Sequence, residues 1–168
     1  MENTNTDTND LLLEVKDIRV NYITKDETVE AVNGVSFTLD KGKTIGLVGE
    51  TGAGKTTIAR TILRILPTPP AKLIEGEVTF DGKNLYAISE EEMRKIRGDK
   101  ISMVFQDPMT ALNPVKRVGW QVAEAIRYHQ NVNKKEAEEK AIEMFRLVGI
   151  SDVDRDALLA DREDGVLV

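Results

Sequence analysis

The sequence predicts an α/β fold with an added antiparallel β portion and the start of a helical arm. Three observations predict it. Two long strand-like segments, 11–22 and 29–40, stand in tandem with a short turn between them. A short apolar, β-branched run at 44–48 leads straight into a glycine-rich loop and then a helical stretch, the strand–loop–helix order of an α/β unit. Beyond residue 117, apolar residues recur at helical spacing in two successive stretches.

The elements follow in order. Residues 1–10 (MENTNTDTND) are polar and predict a disordered tail. LLLEVKDIRVNY at 11–22 alternates apolar and polar residues in its second half, as a strand does. TKDE at 24–27 is a turn, VEAVNGVSFTLD at 29–40 a second strand, and Lys41-Gly42 another turn. TIGLV at 44–48 fits a buried strand of a central sheet. Residues 56–66 read as a helix, ended by Pro67, Pro69 and Pro70. GEVTFD at 76–81 reads as a strand closed by an Asp81-Gly82 turn. Ser89 with Glu92 forms a capping box, which opens a short helix to about Arg97. ISMVF at 101–105 is another short buried strand, and 107–114 a loop bounded by Pro108 and Pro114. Val118, Val122, Ala125 and Ile126 form one helical stripe, with Trp120 off it. Ala137, Ala141, Met144, Phe145 and Val148 form another. The pattern fades from Ser151, so the expected organisation is a tail at 1–10, a domain portion at 11–150 and a divergent tail at 151–168.

Composition excludes several functions. The chain has 168 residues, enough for a domain with a core. Its 29 acidic residues against 23 basic ones give a net charge of −6, which argues against a nucleic-acid binder held by broad phosphate contacts. A small phosphate site needs only one or two local cations and stays open. The absence of cysteine removes disulfides, thiolate zinc sites and cysteine nucleophiles. No apolar run approaches the roughly 20 residues that cross a bilayer, and residues 1–10 carry no Lys or Arg, unlike a secretory signal. The expectation is a soluble, intracellular globular chain.

The strongest motif is Gly49-Glu50-Thr51-Gly52-Ala53-Gly54-Lys55-Thr56, followed by Thr57. It fits G-x-x-x-x-G-K-[ST], the phosphate-binding loop of nucleoside triphosphatases. Glycines let the backbone wrap a phosphate without Cβ clashes, and amides at the helix start point at the anion. Lys55 can reach the β- and γ-phosphate oxygens, and the Thr56 hydroxyl can ligate Mg²⁺. At this length the pattern arises by chance in about one chain in a hundred or fewer, and here the strand before and helix after are in place. A guanine-nucleotide hydrolase also needs N-K-x-D, but Asn133-Lys134-Lys135-Glu136 ends in Glu, and there is no D-x-x-G. A small-molecule kinase usually begins close to its loop strand, whereas more than forty residues precede this one.

A second motif is Val104-Phe105-Gln106-Asp107-Pro108-Met109-Thr110-Ala111-Leu112-Asn113-Pro114. An amide at a strand end can ligate Mg²⁺ or orient an attacking water. A glutamine there can equally face solvent beside a proline-bounded turn, and spacing alone leaves both open.

These residues resemble a family. GETGAGKTT, then LPTPPAKLIEGEVTFDGKNL, then EEEMRKIRGDKISMVFQDPMTALNPV are similar to the ATP-binding subunits of ABC transporters. The similarity is strongest to importers of oligopeptides, dipeptides and nickel, and runs over about 11–150. It implies ATP and Mg²⁺ as cofactors, with residues 49–57 around the phosphates. It makes Gln106 the glutamine that contacts Mg²⁺ and water and couples to the membrane subunits, and Tyr22 the aromatic that stacks on adenine. A strand aromatic that only packs on its neighbours is the alternative for Tyr22. The resemblance further implies transmembrane permease subunits and a second ATP-binding subunit as partners. Nucleic acid is not among them, and the implied place is peripheral, on the cytoplasmic face of the cell membrane.

The departures matter equally. The sequence has no Leu-Ser-Gly-Gly-Gln-type signature, no four apolar residues followed by Asp-Glu, and no switch histidine, since His129 precedes that position. The chain therefore reads as an incomplete ATPase domain that stops before the signature motif and binds ATP without turning it over. The alternatives are a nucleotide-binding fragment with no transport role, or another phosphate-loop enzyme such as a kinase.

Overall fold

A computed structural model of the chain describes residues 10–106 and 112–150. The tails at 1–9 and 151–168, and most of the loop at 107–114, lie outside the described residues. The chain divides into two compact units, Met1–Ser102 and Met103–Val168, each described by itself.

The first unit is built on an antiparallel sheet of β1 (Leu11–Ile23), β2 (Thr28–Asp40), β3 (Ala71–Phe80) and β4 (Lys83–Asn84), in the order β2-β1-β3-β4. In β1 the buried residues are Val15, Ile18 and Val20, a spacing that strict alternation forbids. Both ladders shift register between 15 and 19. The extra residue of that bulge returns Ile18 to the face of Val15. Gly76 lies opposite with φ +104, where a Cβ would stand 2.6 Å from the carbonyl oxygens of Lys16 and Asp17. No other residue fits there. Asp81 and Gly82 both have positive φ and make the two-residue hairpin turn between β3 and β4.

Helices α1 (Lys55–Ile62) and α2 (Glu90–Ile96) complete this unit. Ile58 of α1 and Met93 of α2 join Val15, Ile18, Val20, Val32, Val78 and Leu85 in one buried cluster. Ser89 caps α2: its hydroxyl accepts from the Glu92 amide at 3.2 Å, and the Glu92 carboxylate accepts from the Ser89 amide at 3.2 Å.

Several expectations are corrected. Residues 44–48 are not a strand, and Ile45, Leu47 and Val48 are exposed, Val48 by 95%. In 101–105 only Ile101 pairs, through one parallel bridge to Arg97, and Val104 is exposed. A β-branched composition gives a segment the capacity to pair. Among the described residues neither run finds the neighbours a central strand needs. The first helix stops at Ile62 rather than 66: Arg64 takes φ +52, which ends it before the prolines. β3 starts at Ala71, five residues ahead of expectation.

The second unit is a helical hairpin of α3 (Val118–Gln130) and α4 (Lys134–Leu147). Asn131 turns the chain with φ +51, and the Asn133 side chain accepts from the Glu136 amide at 3.0 Å to start α4. Ala123, Ile126, Ala137 and Ala141 are buried between the helices, with Val122 and Phe145 against them. Small residues set this seam, so Val118, Ala125, Met144 and Val148 of the expected stripes stay exposed. Trp120, off the stripe as expected, is half-buried with the Lys116 ammonium 4.0 Å from its ring centroid.

Candidate nucleotide site

The loop 49–54 runs exposed into α1, and its glycines have separate reasons. Gly52 has φ +86 in open space. Gly54 has φ +81, and a Cβ on it would lie 2.4 Å from the Ala31 carbonyl oxygen, so α1 starts as close to β2 as backbone allows. Gly54 is the N-cap and offers no side-chain acceptor, and the first turn holds no acidic residue. The first amides of α1 are thus left for an anion. Glu50, Thr51 and Ala53 are exposed, and the Ala53 amide closes a turn on the Glu50 carbonyl at 3.2 Å.

The Lys55 ammonium lies inside this loop. It donates to the carbonyl oxygens of Gly49 and Glu50, both at 2.6 Å. Thr56, in the first turn of α1, is exposed, and Thr57 is buried. Tyr22, half-buried near the end of β1, brings its phenol to 3.4 Å from the Thr57 hydroxyl. β1 is the second strand of the sheet and not an edge. The structure therefore brings residues 49–57 and Tyr22 together in the first unit. Gln106 falls in the second, exposed at a bend after Phe105. Among the described residues no group of three or more His, Cys, Asp or Glu could hold a metal ion.

Sequence reasoning missed how α1 is held at its far end. The Tyr86 phenol donates to the Thr61 carbonyl at 2.8 Å. Burial pushes its pKa up to about 12, against the opposing pull of Arg64 and Arg97. The Arg97 guanidinium donates to the carbonyls of Leu63 at 2.7 Å and Arg64 at 3.1 Å, and pairs with Glu90 at 2.7 Å. That bond holds the Glu90 carboxyl below the usual carboxylate range. The bonds from Tyr86 and Arg97 to backbone carbonyls join residues 25 to 34 apart, and no local pattern announces them.

Fold and loop together define an α/β domain of the phosphate-loop class. Residues 32–163 match the ABC transporter family, and the chain belongs to that family. It is 49% identical over 146 residues to the "Probable peptide ABC transporter ATP-binding protein" of Sinorhizobium fredii, covering 87% of this chain and 44% of that protein. It is 45% identical over 139 residues to the oligopeptide transport ATP-binding protein OppD of Bacillus subtilis, covering 83% and 39%. The chain thus spans about two fifths of the length of these curated relatives. A solved ATP-binding cassette, a dimer in a post-hydrolysis state bound to ADP and Pi, superposes with a TM-score of 0.67 at 25% identity. That match covers 81% of this chain and 56% of the cassette. Among the described residues no helix is long and apolar enough to cross a membrane.

Proposed function

We propose that this chain carries the ATP-binding portion of a peptide-type ABC importer subunit, and that it binds MgATP without turning it over. The observation that carries the reading is the glycine loop closed around the Lys55 ammonium at an uncapped helix start. The site's chemistry fits a triphosphate. The left-handed glycines and the bare helix start leave amides free to donate, and Lys55 exchanges loop carbonyls for phosphate oxygens. Thr56 offers its hydroxyl to Mg²⁺, and the family resemblance assigns Gln106 to the metal and its water. Tyr22 offers its ring to adenine, and Thr57 supports the α1 start from within. Bound Mg²⁺ neutralises phosphate charge.

Turnover needs a group that positions or deprotonates water near the γ-phosphate. The sequence holds no apolar run followed by Asp-Glu and no signature loop, and Gln106 alone replaces neither. The names of the similar proteins support peptides as the cargo; permease subunits and a second ATP-binding subunit as partners, and a peripheral place on the cytoplasmic face of the membrane, are what membership of the family implies. The organisation proposed is a domain portion at 11–150 between two tails. The experiment is calorimetric titration of the purified chain with MgATP, beside a phosphate-release assay. Saturable binding without release is the expected result. A second reading, a stand-alone kinase, requires turnover that depends on an acceptor molecule.

A further inference from the structure

The end of α1 remote from the loop is held in a strained conformation. The Arg64 amide donates to the Thr61 carbonyl and the Ile65 amide to the Arg60 carbonyl, both at 3.0 Å. This bond pair closes a helix on a left-handed residue, which is most often glycine. Here it is Arg64, with φ +52. A side chain is strained there and persists only where its surroundings over-determine it. The surroundings do so. The Arg64 guanidinium donates to the carbonyls of Leu85 at 2.8 Å and Ile88 at 3.1 Å, meets Glu90 at 3.4 Å, and lies 5.6 Å from the Tyr86 ring centroid. Arg97 takes the carbonyls of Leu63 and Arg64, just past the helix, and the other oxygen of Glu90.

We propose that Arg64 and Arg97, bridged by Glu90, are positioning residues for the phosphate loop. The proposal rests on the nucleotide-site reading above. α1 has eight residues and is about 12 Å long, so a tilt of about 10° at its held end moves Lys55 by about 2 Å. Binding groups need placement to about 0.5 Å. A glycine at 64 would end the helix without strain. The arginine adds a grip on residues 85–90 that glycine cannot make, and its partner Arg97 holds the same turn. Neither side chain needs to touch the nucleotide.

The test uses the full chain and titrates it with magnesium and either ATP or inorganic tripolyphosphate, which has no base to stack. Arg64→Gly removes the strain and the grip together. Arg97→Lys keeps the charge but loses the planar fork that serves three acceptors. The melting temperature of each variant is read separately. The expected result is a folded Arg64→Gly chain that binds both ligands roughly three- to thirtyfold more weakly, within the range of coupling in one network, with Arg97→Lys weakened likewise. Wild-type affinity for tripolyphosphate in Arg64→Gly overturns the proposal, whatever its melting temperature. An unfolded Arg64→Gly chain overturns it too, since the grip would then serve the fold and not the loop. If the unaltered chain binds neither ligand, the nucleotide-site reading itself falls, an outcome distinct from the other two.

Discussion

Lys55 spends its ammonium on two carbonyls of its own loop, and phosphate oxygens replace these as acceptors when a nucleotide binds. Charge-assisted hydrogen bonds contribute roughly 1.5–3 kcal/mol each. Lys55→Ala is therefore expected to weaken ATP binding roughly ten- to a hundredfold, read by calorimetry. Thr56→Ala, altered at an exposed hydroxyl, is expected to lose mainly the Mg²⁺ dependence of that binding. Tyr22 separates ring from hydroxyl. Its contact with Thr57 is 3.4 Å, long for a hydrogen bond between hydroxyls, whereas base stacking on an aromatic face contributes about 1–3 kcal/mol. Tyr22→Phe should then bind ATP nearly as well as the unaltered chain, and Tyr22→Ala distinctly worse. Equal affinities across the three would mean that the ring only packs. The loop itself was legible because its chemistry is local: glycines, lysine and threonine within nine residues. The Arg64–Glu90–Arg97 group was not legible, because its contacts join separate turns of the chain and glycine, not arginine, is the residue expected at a left-handed helix stop.

At the scale of elements, short-range signals carried well and long-range ones did not. The capping box at Ser89 and Glu92 forms as its spacing demands, and Ser89→Ala is expected to lower stability by about 1 kcal/mol, measured by denaturant unfolding of the chain. An unchanged midpoint would show that α2 is held by packing alone. β1 and β2 form near the expected ends because alternation and the turn between them are both local. The bulge at Asp17 was hidden, since it shows only when two ladders shift together. The apolar runs at 44–48 and 101–105 satisfied strand composition, but strand pairing is made by partners far along a chain, and composition does not name them. The helix stripes are right in period: Ala137, Ala141 and Phe145 of the second and Val122 and Ile126 of the first lie in the seam, while Ala123 takes the place expected of Val118 and Ala125. The seam of α3 and α4 closes on alanines, and small residues carry little weight in a hydrophobic pattern.

For the whole molecule, the exposed apolar residues are the leading physical fact. Val48, Val104, Val115, Leu147 and Val148 are each more than 70% exposed, and they come from both units. Exposed apolar surface of this kind marks an interaction site or an aggregation liability. It agrees with a chain that spans about two fifths of its relatives. The class read from the sequence stands, and the strands expected at 44–48 and 101–105 are what the structure corrects. The two halves of the functional account, binding and the lack of turnover, are separated by one measurement. The purified chain is titrated with MgATP in a calorimeter and phosphate release is followed on the same sample, with Lys55→Ala as the control for contaminating ATPase. The account predicts saturable binding that Lys55→Ala weakens, and no release above that control. Turnover of about 1 s⁻¹ or more, as of an ordinary enzyme, that disappears in Lys55→Ala would contradict it.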